Sequence, residues 1–318
     1  MPFWKNASLI LIKNGFRNMK RWVSAIRPRT LPLSVSGIII ASFLAFYNGY
    51  FDGLLCLLAI LTTLSLQILS NLANDYGDGV KGTDNDNRVG PERAIQSGVI
   101  TPEEMMQGIK LNILICIVLI IALVFRAFRS DYILYAFLFL LFGGLALYAA
   151  IKYTVGTSPY GYKALGDLMV FIFFGILSVL GTYFLYAKQI DHIVFMPAIA
   201  IGLLSTGVLN LNNMRDLESD RQSGKITIAG KLGFKSAKKY HNLLVIGALI
   251  CLLAFGVFYF TSYYNLIYLI TFIPLIAHLA FVNKTTVPQK LDSHLKVLAL
   301  STFFLALLLG CGYIYNAL

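Results

Sequence analysis

The chain alternates between long apolar segments and polar connections of unequal length. Nine apolar segments approach the length of about 20 residues that a helix needs to cross a bilayer. These segments are 31–50, 52–70, 109–127, 132–151, 164–186, 192–213, 241–260, 264–282 and 295–316. The pattern predicts an all-α, polytopic membrane protein with about nine transmembrane helices in a ring or bundle.

Composition supports a bilayer protein. Of the 318 residues, 58% are hydrophobic and only 13% are charged, and the mean hydropathy is +0.73. Soluble domains contain about 45–50% apolar and about 25% charged residues. The four cysteines all lie within apolar segments and form no CxxC pair. The sequence therefore predicts neither a disulfide framework nor a zinc site.

Basic residues are concentrated on one side of the predicted membrane. Of the 26 Lys and Arg residues, 23 lie in the polar segments 1–29, 71–110, 152–163, 214–240 and 283–296. The opposite connections contain only Arg126, Arg129 and Lys188. Cytoplasmic loops of membrane proteins carry such an excess. We therefore expect a cytoplasmic amino terminus, an external carboxy terminus and no nucleic-acid partner, despite the net charge of +11.

Residues 1–26 mix bulky apolar and basic residues too evenly for a signal peptide. This pattern predicts an amphipathic segment on the cytoplasmic leaflet. The remaining residues, 27–318, are predicted to form a single transmembrane domain with two long acidic loops, 71–108 and 214–240.

An internal repeat places acidic residues at the ends of the second and sixth predicted spans. In each copy an Asn precedes an Asp by one turn, and another carboxylate follows on the same helical face. The copies are Asn71, Asp75 and Asp78, and Asn212, Asp216 and Asp220. Because four spans separate the copies, both emerge on the same side of the membrane, and we expect them to share a cavity there.

Two converging carboxylate pairs would repel each other without a cation between them. Mg²⁺ prefers oxygen ligands and is usually held by carboxylates together with substrate phosphates. A single DxxD motif is also typical of solvated charges that cap a helix end, but the duplication favours a metal site. The candidate metal ligands are Asp75, Asp78, Asp84, Asp216 and Asp220.

Polar residues around the repeat are candidates for substrate binding. Arginine and lysine can contact phosphate oxygens. The candidates are Asn71, Asn74, Lys81, Arg88, Arg93, Lys152, Lys163, Asn212, Arg215, Arg221 and Lys225. Lys152 and Lys163 are also consistent with a simple topology signal. Tyr148 is a candidate contact for a carbocation or an aromatic acceptor, with packing as the alternative.

The two motifs on nine spans resemble the UbiA superfamily of intramembrane prenyltransferases. Residues 27–32 (RPRTLP) and 148–152 (YAAIK) are similar to other elements of that superfamily. The segments 67–93 and 161–175, which include QILSNLANDYGD, GPER, GYKALGD and FFG, look like its 1,4-dihydroxy-2-naphthoate prenyltransferase (MenA) branch. In one respect the first motif departs from the superfamily pattern NDxxDxxxD: Gly82 occupies the last position, and Asp84 follows two residues later.

The resemblance implies a membrane enzyme of menaquinone synthesis. Its donor would be a polyprenyl diphosphate and its acceptor 1,4-dihydroxy-2-naphthoate, giving demethylmenaquinone, diphosphate and carbon dioxide. Two Mg²⁺ ions held by Asp75, Asp78, Asp216 and Asp220 would neutralise the leaving diphosphate. Such an enzyme would reside in the cytoplasmic membrane.

Other functions remain open at this stage. A related enzyme could use 4-hydroxybenzoate, homogentisate, haem or a chlorophyllide as acceptor, although the MenA-like loops disfavour these. A cation transporter would need carboxylates near the membrane midplane, and Asp167, near the start of its span, is the nearest case. A CDP-alcohol phosphotransferase would carry a DGxxAR pattern, but Asp78-Gly79 is followed by a different sequence.

Overall fold

The computed structural model describes residues 20–83, 89–129 and 131–315. Within these ranges, nine helices are long and apolar enough to span a membrane. They are α1 (Lys20–Tyr47), α2 (Gly53–Val80), α3 (Pro102–Phe128), α4 (Ile133–Lys152), α5 (Gly166–Ala187), α6 (His192–Arg215), α7 (Ile228–Phe258), α8 (Tyr263–Lys284) and α9 (Pro288–Tyr315). The predicted all-α, nine-span, multi-pass architecture is confirmed.

Several helices begin earlier than hydropathy predicts. The start of α3 carries a capping box, in which Glu104 and Thr101 each accept a hydrogen bond from the other's backbone N–H. The start of α7 is capped by Thr227, which accepts from the N–H of Gly230 at 3.0 Å. Such caps satisfy N–H groups that lack a partner within the helix. The polar first turns of these helices were therefore wrongly predicted as loop.

The predicted amino-terminal segment is only partly described. Its residues 1–19 lie outside the described ranges, and residues 20–26 are helical. The helix is interrupted at Arg27, whose φ of 55° is left-handed, and a 3-10 turn over Pro28–Thr30 leads into the α-helix Leu31–Tyr47. The amphipathic role of residues 1–26 stays a prediction.

The core of the bundle is formed by α1 and α6. In each of these helices 61% of the most apolar 18-residue stretch is buried, whereas only 6% of the corresponding stretch of α4 is buried. A close helix crossing joins α5 to α6. A Cβ on Gly175 would lie 2.6 Å from the carbonyl oxygen of Ala198 and 2.6 Å from the Cα of Gly202. Small residues permit such close backbone approach in membranes. The helix α5 is π-helical over Phe171–Gly181, through this crossing.

Three histidines from the last three spans form a hydrogen-bonded chain. Nε2 of His241 on α7 lies 2.8 Å from Nε2 of His278 on α8. Nδ1 of His278 lies 3.1 Å from Nδ1 of His294 on α9. The ring of Phe281 stacks on that of His294, with centroids 3.7 Å apart. Because these residues are far apart in sequence, their spacing gave no sign that they meet.

Candidate active site

The first acidic motif lies on the last turns of α2. Asp75 and Asp78 are only 1% and 4% exposed. The two carboxylate oxygens of Asp75 accept hydrogen bonds from the backbone N–H groups of Ala94 at 3.1 Å and Ile95 at 3.2 Å. The chain after α2 therefore folds back over the motif. Gly79 permits this contact, since a Cβ there would lie 2.7 Å from Cγ2 of Ile95.

Asp78 is surrounded by donors from other segments. The Tyr162 hydroxyl donates a hydrogen bond to it at 2.8 Å, and a guanidinium nitrogen of Arg93 lies 3.7 Å away. Lys81 donates to the carbonyl of Thr154 at 2.7 Å, with its Nζ 4.7 Å from the centre of the Tyr162 ring. Two predicted phosphate-binding residues, Lys81 and Arg93, thus lie beside the first motif.

The second acidic motif bends at Asp216. The helix α6 ends at Arg215, Asp216 has φ −93° and ψ 12°, and Asp220 lies on a separate short helix, Leu217–Gln222. The carboxylates are therefore not arranged along one straight helix. Arg215, whose side chain is 1% exposed, donates to Asp216 at 2.7 Å and 2.6 Å and also pairs with Asp292 on α9. Its guanidinium is occupied in holding Asp216.

The two motifs meet around Lys225. Its ammonium donates to Asp220 at 3.1 Å. Burial acts to lower the pKa of Lys225, but the carboxylates of Asp220 and Asp78 outweigh it and raise that pKa. For the Asp220 carboxyl, burial raises the pKa, Lys225 opposes this effect, and Asp216 and Asp78 add to it. Carboxylates from both copies of the repeat thus share one electrostatic environment.

Two loops pair to position Lys225. The N–H of Ala164 donates to the carbonyl of Ile226 at 2.8 Å, and the N–H of Ile226 donates to the carbonyl of Tyr162 at 3.3 Å. Lys163 and Ile226 form an isolated parallel bridge. The loop after α4 therefore fixes Lys225 next to Asp220 while it also brings the Tyr162 hydroxyl to Asp78.

Comparison with known proteins identifies the family. The model of the UbiA prenyltransferase family matches residues 34–308. The chain belongs to this family.

Named relatives agree with the family assignment. The chain is 46% identical over 251 residues to the 1,4-dihydroxy-2-naphthoate octaprenyltransferase of Escherichia coli K12, covering 78% of this chain and 80% of that one. The Haemophilus influenzae enzyme of the same name is 40% identical over 296 residues, covering 92% and 96%. A solved UbiA homologue from Archaeoglobus fulgidus, bound to DMAPP and Mg²⁺, has a TM-score of 0.63 at 12% identity, covering 91% and 99%. This structure supports the fold.

Tyr153, which the sequence analysis did not single out, lies within electrostatic reach of both acidic motifs. Tyr148, the predicted aromatic contact, is 59% exposed on α4. Five residues at about 100° each place Tyr153 about 140° away around the helix. Burial raises the pKa of Tyr153 to about 12, with Lys225 opposing and Asp78 and Asp220 adding to the shift. Helical phase alone could have indicated that the two tyrosines face different sides.

A cavity of about 250 Å³ opens beside Asp75. It is lined by Ser24, Arg27, Pro28, Arg29, Asp75, Pro91, Glu92, Arg93 and Ala94. Asn71 supports this wall, since its amide donates to the carbonyl of Ile26 at 2.7 Å and to the hydroxyl of Thr30 at 3.0 Å. Asn71 thus positions the segment that leads into the α-helix Leu31–Tyr47. Arg27 and Arg29 line the cavity, although the sequence analysis noted their segment only for its similarity to the superfamily.

Other predicted substrate contacts have structural partners or exposed side chains. Asn74 accepts a hydrogen bond from the Thr154 hydroxyl at 3.2 Å. The Asn212 amide donates to the Asp216 carboxylate at 3.3 Å.

The other predicted basic contacts differ in their placement. Lys163 and Arg221 are exposed. Burial lowers the pKa of Lys81, with Asp78 opposing and nearby Lys152 adding to the shift. Lys152 therefore lies within electrostatic reach of the first motif. Asp84 and Arg88 lie outside the described residues.

The donor set fits a magnesium ion shared with a substrate. Oδ2 of Asp220 is buried and has no hydrogen-bond partner within the described ranges. Within those ranges, no three His, Cys, Asp or Glu side chains form a group that could hold a metal by themselves. Mg²⁺ is usually bound by one or two carboxylates, water and substrate phosphates. The buried carboxylates of the two motifs match that type of site.

Proposed function

We propose that this chain transfers a polyprenyl group from polyprenyl diphosphate to 1,4-dihydroxy-2-naphthoate, with Mg²⁺ as cofactor. The products would be diphosphate, carbon dioxide and the prenylated naphthalenediol, which is the reduced form of demethylmenaquinone. The names of the E. coli and H. influenzae relatives support the acceptor. The observation that carries the proposal is the convergence of Asp78 and Asp220, from two distant helix ends, on Lys225.

The carboxylates of Asp75, Asp78, Asp216 and Asp220 would hold two Mg²⁺ ions. Bound Mg²⁺ would supply Lewis-acid stabilisation of the leaving diphosphate as its C–O bond breaks. The chain itself keeps the carboxylates oriented, because Asp75 is held by backbone amides and Asp216 by Arg215.

Basic groups beside the motifs suit the diphosphate. Arg93 and Lys81 approach Asp78 from the side of the first motif, and Lys225 approaches Asp220 from the second. Their positive charges would bind non-bridging phosphate oxygens and balance the negative charge that develops on the leaving group. The arginine-lined cavity beside Asp75 is also suited to an anion, either the diphosphate or the carboxylate of the acceptor.

Tyr153 is a candidate contact for the reacting carbon, because it lies within electrostatic reach of Asp78, Asp220 and Lys225. Its pKa of about 12 keeps the phenol neutral at physiological pH. A neutral ring can stabilise an allylic cation by a cation–π interaction, and the burial of the site limits reaction of the cation with water. The electron-rich naphthoate ring then forms the new C–C bond. Loss of carbon dioxide returns the electron pair of the broken C–C bond to the ring.

We infer that the protein lies in the cytoplasmic membrane with its amino terminus inside and its carboxy terminus outside. The 23 of 26 basic residues in segments on the motif side support this orientation. It would open the site to the cytoplasm.

The test is an assay with purified protein in lipid nanodiscs, Mg²⁺ and radiolabelled polyprenyl diphosphate. Acceptors are 1,4-dihydroxy-2-naphthoate, 4-hydroxybenzoate and homogentisate, each supplied separately and then in competition. We expect prenylated naphthalenediol and carbon dioxide in equal amounts, with the carbon dioxide measured from acceptor labelled in its carboxyl group. We expect no product when EDTA removes Mg²⁺. A higher kcat/KM for 4-hydroxybenzoate would contradict the acceptor assignment, and turnover in EDTA would contradict the metal assignment.

A further inference from the structure

A second cavity lies at the opposite end of the bundle from the acidic motifs. It has a volume of about 330 Å³ and is formed where the α1–α2, α3–α4 and α5–α6 connections meet. It is lined by Gly49, Tyr50, Phe51, Asp52, Leu55, Arg126, Ala127, Arg129, Leu185, Tyr186 and Lys188. This volume is about ten times the 30 Å³ or so that a water molecule occupies in the liquid.

The cavity gathers the basic residues of this end of the protein. The end of α3 and the connections on this side contain Arg126, Arg129 and Lys188 as their only Lys or Arg residues, against 23 on the motif side. All three line the same cavity, although Arg126 lies in the last turn of α3, Arg129 follows α3 and Lys188 follows α5. Since membrane proteins carry few basic residues on this side, their convergence points to a specific role.

Two of these residues have unfavourable backbone conformations. Arg129 has φ 46° and ψ −141°, and Lys188 has φ 60° and ψ 12°. Only four non-glycine residues with positive φ occur in the described ranges, and two of them are in this cavity. Left-handed conformations favour glycine, and strain of this kind is concentrated at binding and catalytic sites. Two charged residues thus occupy backbone conformations that glycine would adopt more easily.

The positive charges in the lining exceed its negative charge, because Asp131 and Asp191, the other acidic residues of these connections, do not line the cavity. Arg126 pairs with Asp52, the one acidic residue in the lining. Its Nε is buried and has no hydrogen-bond partner in the described part of the chain. Burial lowers the pKa of Lys188 to about 8, with Asp52 opposing, and its Nζ lies 5.0 Å from the centre of the Phe128 ring. An anion would stabilise these partly desolvated cations.

We propose that this cavity binds a phosphate-bearing anion, through Arg126, Arg129 and Lys188. The phosphate could belong to the headgroup of an anionic phospholipid or to free inorganic phosphate, because the same guanidinium and ammonium donors recognise both. The exposed rings of Tyr50 and Phe51 are typical of the membrane–water interface, where a lipid headgroup would lie. This site is separate from the motif-side chemistry and does not depend on it.

The test uses full-length protein in neutral detergent. Binding of phosphatidylglycerol and of phosphatidylcholine is measured by native mass spectrometry, and binding of inorganic phosphate by calorimetry. The variant is the double substitution Arg129→Gly with Lys188→Gly. We expect it to weaken phosphatidylglycerol binding by at least about tenfold while its Tm stays equal or rises, because glycine relieves the positive-φ strain. Loss of binding without loss of stability separates this site from a purely structural role.

The control removes two charges from the other end of the bundle, by Lys110→Gln with Lys235→Gln, both exposed residues. Its phosphatidylglycerol binding should match that of the wild type. Selective phosphatidylglycerol binding that the glycine variant loses supports a lipid ligand, and equivalent loss of inorganic phosphate binding supports free phosphate. Equal binding of both anions by the wild type and the glycine variant would overturn the proposal.

Discussion

Asp220 is the residue at which charge, burial and an unsatisfied oxygen coincide. Its Oδ1 accepts from Lys225, and its buried Oδ2 has no partner within the described ranges. Asp220→Asn keeps the shape but removes the charge that would bind Mg²⁺. We expect kcat to fall by about 10²–10³-fold, measured by prenyl transfer at saturating Mg²⁺.

The matched control for this substitution is Glu218→Gln. Glu218 lies on the same short helix, Leu217–Gln222, but is exposed. Its kcat should stay within about twofold of wild type, since surface substitutions away from special features have small effects. Similar losses of kcat for Asp220→Asn and Glu218→Gln would show that removing any negative charge from this short helix lowers activity. The metal-ligand role of Asp220 would then be contradicted.

Arg215 is expected to act through Asp216. Removing one partner of a buried ion pair leaves an uncompensated charge and costs about 3–5 kcal/mol. Arg215→Gln should therefore lower Tm and also raise the Mg²⁺ concentration needed for half-maximal activity. Thermal unfolding and Mg²⁺ titration measure the two effects.

The pairing of Arg215 with Asp292 gives an internal control. Asp292, on α9, is paired with Arg215 but belongs to neither acidic motif. In a double-mutant cycle, Asp292→Asn should destabilise the wild type more than it destabilises Arg215→Gln. Additive losses would show that the two side chains are not coupled.

The tyrosines show where reasoning about single residues stops. The position of Asp75 and Asp78 at a helix end could be predicted, because a run of apolar residues leads into the motif. The choice between Tyr148 and Tyr153 depends on which face of α4 meets the loops of other helices. Apolar periodicity does not reveal that face, because α4 is apolar all round and mostly exposed.

At the level of elements, the crossing of α5 and α6 depends on Gly175. An added Cβ would meet backbone atoms of Ala198 and Gly202, which cannot move aside as a flexible side chain can. We expect Gly175→Ala to destabilise the protein by about 1–3 kcal/mol, as overpacking does. Thermal unfolding in detergent measures the change.

Gly144→Ala is the corresponding control. Gly144 lies in α4, and a Cβ there would meet no atom within 4 Å. Alanine also favours a helix over glycine by about 1 kcal/mol, so Tm should stay equal or rise. If the two alanine variants unfolded at the same temperature, the close crossing would not be a source of stability.

Helix ends were less predictable than helix centres. Hydropathy located all nine spans, but it placed the start of α7 well after Ile228. The first turns of α7 are polar and capped by Thr227, and a break at Gly233, whose φ is 73°, separates them from the apolar part of the helix. Hydropathy measures the fit to lipid, whereas capping and packing decide where the helix begins.

For the whole molecule, orientation is open to direct measurement. We expect Gln222→Cys, on the motif side, to react with an impermeant maleimide only after cells are permeabilised. Ile190→Cys, in the exposed α5–α6 connection, should react in intact cells. The expectation follows from the distribution of Lys and Arg.

Both cysteine variants must retain prenyl transfer, which shows that the labelled protein is folded. The reverse labelling pattern would place the acidic motifs outside and contradict the inferred topology. Labelling of both positions in intact cells would indicate a mixed population of orientations.

The meeting of the two motifs could be anticipated at this scale, because an even number of spans separates them. The details depended on contacts between distant loops. Lys225 reaches Asp220 because Ile226 pairs with the backbone of Tyr162 and Ala164. No spacing in the sequence encodes that pairing between distant loops.

The histidine chain across α7, α8 and α9 has a direction. A neutral imidazole carries one ring proton, so neutral His278 can donate to His241 or to His294 but not to both. The two hydrogen bonds must then point the same way along the chain. Reversing one reverses the other, and the net result moves a proton between Nδ1 of His241 and Nε2 of His294. Three separate side chains thus behave as a single two-state unit, whose tautomers switch together.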